Sequence, residues 1–173
     1  MIISLEEIKK VANQGPFYPD WDSLATYQVP NWFKGAKFGI FIHWGLYSLP
    51  AFGSEWYSRN MYIQGTAEFE HHVKTYGSHK DFGYKDFIPL FTAEKFQAEE
   101  WVQIFKMAGA RYIFPVAEHH DGFQLYESQL SPFNSVEMGP KRDILQELKQ
   151  ATDQAHLHFC TSSHRAEHHF FFS

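Results

Sequence analysis

Four short clusters hold the residues that could do chemistry: His43 with Trp44, Glu55 with Trp56 and Tyr57, Glu118-His119-His120-Asp121, and Ser162-Ser163-His164-Arg165. Neutral imidazoles and a carboxylate supply directional hydrogen bonds to hydroxyl groups, and the rings of Trp44, Trp56 and Tyr57 supply flat apolar surfaces. That mixture suits a pyranose. The rival reading, in which the aromatics fill a core and the histidines are satisfied groups behind it, is almost as well supported by composition alone. A metal centre is the other chemistry that 11 histidines suggest, through the runs His71-His72, His119-His120-Asp121 and His168-His169. Two facts weigh against those runs. Adjacent strand residues point to opposite faces, and there is neither a His-Glu-x-x-His pattern nor a cysteine-rich spacing. The expectation from these residues is no metal.

The elements that must position these clusters alternate. Lys37 to His43 is a short apolar run between Gly35 and Gly45, which predicts a buried strand. Ala98 to Ala108 places Trp101, Val102, Phe105 and Ala108 on one helical face, with Glu99 and Glu100 in the first turn and Gly109 at the end. Arg111 to Ala117 predicts a second strand, in which Pro115 lacks a donor and implies a bulge or an interrupted ladder. Lys141 to Ala155 repeats the helical spacing through Ile144, Leu145, Leu148, Ala151 and Ala155, and Leu157 to Ser162 predicts a third, weaker strand. Strand, helix, strand, helix, strand is an α/β design on a parallel sheet, whose active site gathers where the strands' carboxyl ends meet. His43, the Glu118 to Asp121 cluster and the Ser162 to Arg165 cluster each end one strand. The connection after the first strand is about fifty residues, too long for a plain link. It carries SEWYSRNMY and a short helix near Ala67 to Tyr76.

Composition narrows the class further. The 173 residues carry a formal charge of −5, which argues against binding nucleic acid or an anionic membrane through clustered Lys and Arg. Aromatics make up 18% of the chain, so disorder is excluded. The longest apolar runs, Phe38 to Ile42 and Ile113 to Ala117, are far shorter than the roughly 20 residues of a membrane helix. The opening MIISLEEIKK has no secretory-signal pattern, which leaves a cytoplasmic protein or one whose signal was removed, and the first is the expectation. Cys160 is the single cysteine and is expected to be a small buried residue.

Five ordered motifs carry a family resemblance: WFKGAKFGIFIHWGLYS (Trp32 to Ser48), GSEWYSRNMY (Gly53 to Tyr62), AEHHDGFQLYES (Ala117 to Ser128), GPKRDILQEL (Gly139 to Leu148) and SSHRAEH (Ser162 to His168). The chain resembles the α-L-fucosidases of glycoside hydrolase family 29 from about residue 20 onward. The resemblance implies a (β/α)8 TIM-type barrel that removes terminal α-L-fucose from fucosylated glycans with retention of configuration and without a metal or organic cofactor. It also implies that His43, Glu55, Trp56, His119 and His120 bind the fucose, while Trp44, Tyr57, Asp121 and His164 stand behind or beside them. Gly122 is expected to serve a turn needing positive φ.

A retaining glycosidase needs two carboxyl groups about 5 Å apart. By the resemblance, the nucleophilic Asp ends the fourth barrel strand and the acid/base Glu follows later. Only about three strand-helix units are counted in residues 1–173. Neither Glu118, Asp121 nor Glu167 is assigned to those roles. No catalytic residue is therefore expected within this chain, and the nucleophile and the acid/base are both expected beyond Ser173. An eight-stranded barrel needs roughly 250 residues, which agrees. The expectation is the amino-terminal part of a catalytic barrel: a fragment, an early stop or a split gene product. The apolar ending FFFS and an open sheet edge suggest association, either as a homo-oligomer or with a complementing carboxyl-terminal chain. The alternative function is an inactive remnant, or a sugar-binding or subunit-completing module.

Overall fold

The buried run that begins at Tyr112 becomes the centre of a parallel sheet, and the rest of the architecture follows from covering it. The computed structural model describes residues 4–165. Glu167, His168, His169, the closing phenylalanines and Ser173 lie outside the described residues, and so do the expectations attached to them: the apolar ending as an association surface, and Ser173 as a point short of the catalytic carboxylates. Two compact units divide the chain at Lys37.

In the first unit, α1 (Leu5–Ala12) opens with a reciprocal cap. Ser4 Oγ accepts from the Glu7 N–H, and the Glu7 carboxylate accepts from the Ser4 N–H. The short α2 (Trp21–Leu24) is capped by Asp20, and α3 (Asn31–Ala36) follows Pro30. None of the three helices buries a residue.

In the second unit, β1 (Gly39–Ile42) leads into a long connection holding a 3-10 turn (Leu46–Ser48), α4 (Tyr57–Asn60), α5 (Ala67–Tyr76) and a second 3-10 segment (Tyr84–Leu90). Then come α6 (Ala98–Met107), β2 (Tyr112–Glu118), α7 (Ile144–Gln154), β3 (His158–Phe159) and β4 (Ser162–Ser163). All pairings are parallel: β1 joins β2 with Gly39 opposite Tyr112, and β3 and β4 both join the other side of β2. The expected third strand is thus two short pieces rather than one. Cys160 and Thr161 between them still bond to β2, through Cys160 N–H to Ile113 O and Thr161 Oγ1 to Pro115 O. The irregularity expected at Pro115 falls just beyond it, as a register shift between Val116 and Glu118. Cys160 is half-buried, not buried as expected, because it sits on this broken strand.

Gly39 faces the Tyr112 ring so closely that an added Cβ would lie 2.2 Å from it, which explains glycine at the start of β1. Helices α6 and α7 cover the sheet with Val102, Ile144, Leu148 and Ala151, packing on Ile113 and Ala117 of β2. The high aromatic content is spent on the long connection, whose Tyr57, Tyr84, Phe87 and Phe96 are almost wholly buried. No described helix is long and apolar enough to cross a membrane.

Candidate functional site

Parallel pairing brings the residues that follow β1, β2 and β4 to the same end of the sheet. His43 follows β1, His119 and His120 follow β2, and His164 follows β4. Their rings form one cluster. Ring centroids are 5.4 Å apart for His43 and His119, 5.3 Å for His43 and His164, and 4.8 Å for His119 and His164. His119 is buried, whereas His43 is exposed and His164 and His120 are half-buried, so the cluster opens to solvent on one side. Among the described residues, His43, His119 and His164 are the group whose ligand atoms all lie within 4.8 Å of one another.

The long connection supplies the other wall. Trp56 stacks on His120, with centroids 4.0 Å apart and 23° between the planes. Glu55 beside it is half-buried, and its charge acts on both His43 and His119. Tyr47, from the 3-10 turn after β1, sets its ring edge-on to His119 at 5.2 Å. Its hydroxyl is buried without a hydrogen-bond partner. Sequence reasoning passed over Tyr47, although its place four residues after His43, inside an apolar run, was the available signal.

Two acids hold this end in shape. Asp121 Oδ2 accepts from the Tyr84 hydroxyl at 2.6 Å, and Oδ1 accepts from the Phe123 N–H at 3.1 Å. Between them the chain turns at Gly122, whose φ of 75° suits glycine as expected. Glu118, 3% exposed, accepts from Ser163 Oγ at 2.7 Å and from Arg165 Nη2 at 2.7 Å, which ties β2 to β4. The His164 N–H closes the same link on the Glu118 carbonyl at 3.0 Å.

Electrostatics follow from this packing. Burial, and then repulsion from His120, His164 and His43, pushes His119 down to about 4, against a smaller opposing pull from Glu55. His43 is lowered by desolvation and by His164. Both rings are therefore neutral at pH 7, each with one donor and one acceptor nitrogen. Burial pushes Asp121 up to about 6, against the Tyr84 and Phe123 hydrogen bonds. Burial also acts to raise Glu118, but the Arg165 and Ser163 hydrogen bonds win and hold it below the usual carboxylate range.

Two of the weaker sequence candidates turn away from the cluster. Trp44 packs on Phe91, Phe96 and Trp101, with centroids 5.2 to 5.3 Å from its own. Tyr57 is fully buried, with its hydroxyl 3.0 Å from His72 Nδ1. The run His71-His72 is a structural pair: His72 spends its other nitrogen on the Phe82 carbonyl, and His71 stacks on Phe52.

The α-L-fucosidase family model matches residues 4–171. The chain belongs to the α-L-fucosidase family. It is 46% identical to human plasma alpha-L-fucosidase over 136 residues, which cover 78% of this chain and 29% of that protein. Among solved structures it is similar to the Thermotoga maritima alpha-fucosidase, with 45% identity and a TM-score of 0.80, covering 85% of this chain and 37% of that one. A structure of the same Thermotoga protein in complex with fucose matches equally, with a TM-score of 0.80. The chain thus spans about 29% of the length of the human relative and 37% of the bacterial one. Family membership fits a cluster of neutral imidazoles with an indole and a carboxylate beside it at the carboxyl end of a parallel α/β sheet.

Proposed function

We propose that this chain is the amino-terminal portion, residues 1–173, of a (β/α)8 barrel of an α-L-fucosidase, and that it forms the fucose-binding side of the active site. The observation that carries the reading is the meeting of His43, His119, His120 and Trp56, with Glu55 beside them, at one end of the sheet of a member of this family. In this role the neutral imidazoles and Glu55 orient the fucose hydroxyls, and Trp56 on His120 presents an apolar face to the ring.

The reaction is retaining hydrolysis of terminal α-L-fucose from a fucosylated oligosaccharide or glycoconjugate. Its nucleophile and acid/base come from outside residues 1–173. Glu118 is held by Arg165 and Ser163, and Asp121 by Tyr84, so neither pairs with Glu55 as a second reacting carboxylate, which supports this. A displacement needs a carboxylate free to reach the anomeric carbon, with a second one about 5 Å away. The second reading, a sugar-binding module without chemistry of its own, rests on the same engagement.

Two measurements test the proposal: calorimetric titration of the protein with L-fucose, and hydrolysis of an aryl α-L-fucoside. Fucose binding without turnover is the expected result. Absence of binding in a folded sample overturns the binding role, and clear turnover overturns the account of the missing carboxylates.

A further inference from the structure

We propose that His43, His119 and His164 form a binding site for a divalent transition metal of the zinc class. A run of adjacent histidines supplies only one ring of this site, His119. The site takes one imidazole from each of three strand ends, an arrangement that pairwise sequence spacing does not display. Their ligand atoms lie within 4.8 Å of one another, and the ring centroids are 4.8 to 5.4 Å apart. Zinc–nitrogen bonds of about 2.0 Å in a tetrahedral shell put ligand nitrogens about 3.4 Å apart. Closing the remaining gap needs modest rotation of exposed His43, the ring with the most room to move.

Three features favour an ion over a merely packed cluster. Buried His119 makes no hydrogen bond through Nδ1, so that nitrogen is not committed to a protein group. His164 is fixed from outside the cluster, its Nε2 3.0 Å from Ser162 Oγ and its N–H on the Glu118 carbonyl, the kind of support that orients a ligating imidazole. Three nitrogen ligands also leave one position of a tetrahedral ion open toward solvent, the pattern of an exchangeable rather than a closed structural site. By contrast His72 has both nitrogens bonded, and His79 Nε2 is 2.6 Å from the Met61 carbonyl, so neither competes for an ion.

His43 and His119 also belong to the proposed fucose pocket. On that reading, and only on it, the ion and fucose exclude each other, and zinc-class metals act as reversible competitors of the sugar.

The test is titration of chelator-treated, tag-free 173-residue protein with Zn²⁺ by calorimetry and with Co²⁺ by visible absorption. One ion per chain is expected, with intense Co²⁺ d–d bands of a four-coordinate site. His43→Ala and His164→Ala should each weaken binding at least about tenfold, while His71→Ala leaves it unchanged. His43 is exposed, so its variant keeps the fold, which circular dichroism checks. No stoichiometric binding, or binding equally tight in both cluster variants, overturns the site. L-Fucose titrated in chelator and in Zn²⁺ separates the two readings. Fucose binding without Zn²⁺ binding removes the metal site alone, and Zn²⁺ binding without fucose binding removes the proposed function alone.

Discussion

The Tyr84 hydroxyl donates to Asp121 Oδ2 across 2.6 Å in a fully buried setting, joining the long connection after β1 to the turn after β2. His119 and His120 immediately precede that turn, so the hydrogen bond fixes where both imidazoles stand. Tyr84→Phe removes the donor and leaves a buried carboxylate with backbone partners only. The expected cost is about 1.5–3 kcal/mol of stability, the range for a hydrogen bond to a charged group. Urea unfolding at pH 7 measures it, and a loss well under about 0.5 kcal/mol would show that the pair does not hold the turn.

Glu118 reports on the other clamp. Glu118→Ala leaves Ser163 and Arg165 without their carboxylate acceptor and removes the side-chain tie between β2 and β4. Because Arg165 is half-exposed and screened, the expected loss is about 1–3 kcal/mol rather than that of a buried ion pair. Glu118→Gln, which keeps an acceptor for Ser163, should recover part of it. Equal stability of the Ala and Gln variants would show that the hydroxyl contact adds nothing.

Acid sensitivity follows from His119. Its pKa of about 4 in the folded chain lies below the ordinary 6.5, so between those values the unfolded chain holds a proton that the folded chain lacks. Stability from this residue is fully present above pH 6.5 and is lost as pH falls toward 4. Asp121, raised to about 6 from 3.8, acts in the opposite direction over nearly the same window. Because the two nearly balance, removing the ring in His119→Asn should make the unfolding free energy rise, relative to the unchanged protein, as pH falls from about 7 to about 4.5. Denaturant curves at several pH values check this, and an unchanged slope would contradict it.

On the proposed function, Trp56 gives the sharpest binding test, since its indole stacks on His120 at the edge of the histidine cluster. Trp56→Ala should weaken L-fucose binding about tenfold, ~1.4 kcal/mol, and Trp56→Phe should restore most of it. Calorimetry on both variants decides the matter. Affinity equal to that of the unchanged protein in Trp56→Ala would remove Trp56 from the pocket.

Gly122 allows a backbone test independent of any ligand. Its φ of 75° strains any residue with a Cβ, so Gly122→Ala should cost about 1–2 kcal/mol. A thermal midpoint unchanged within error would show that the turn relaxes freely.

Much of this molecule is written locally in its sequence. The face of Ala98–Met107, the apolar run of Tyr112–Glu118 and the spacing of Ile144, Leu148 and Ala151 declare themselves within a dozen residues, because helix and strand periodicity is a short-range property. So does the glycine of the turn at Gly122. The broken third strand was less legible, since two-residue pieces carry no periodicity and exist only by pairing with β2. The family was legible too, because the motifs that surround the site are long and ordered.

Tertiary structure alone decided which of those motif residues face each other. Trp56 reaches His120, while its neighbour Tyr57 is drawn into the core by His72, a difference that one residue of chain does not foretell. His43, His119 and His164 stand far apart in sequence, and the run His119-His120 supplies only one of the three rings. They meet because parallel strands align their carboxyl ends, and that alignment is a property of the sheet rather than of any segment in it.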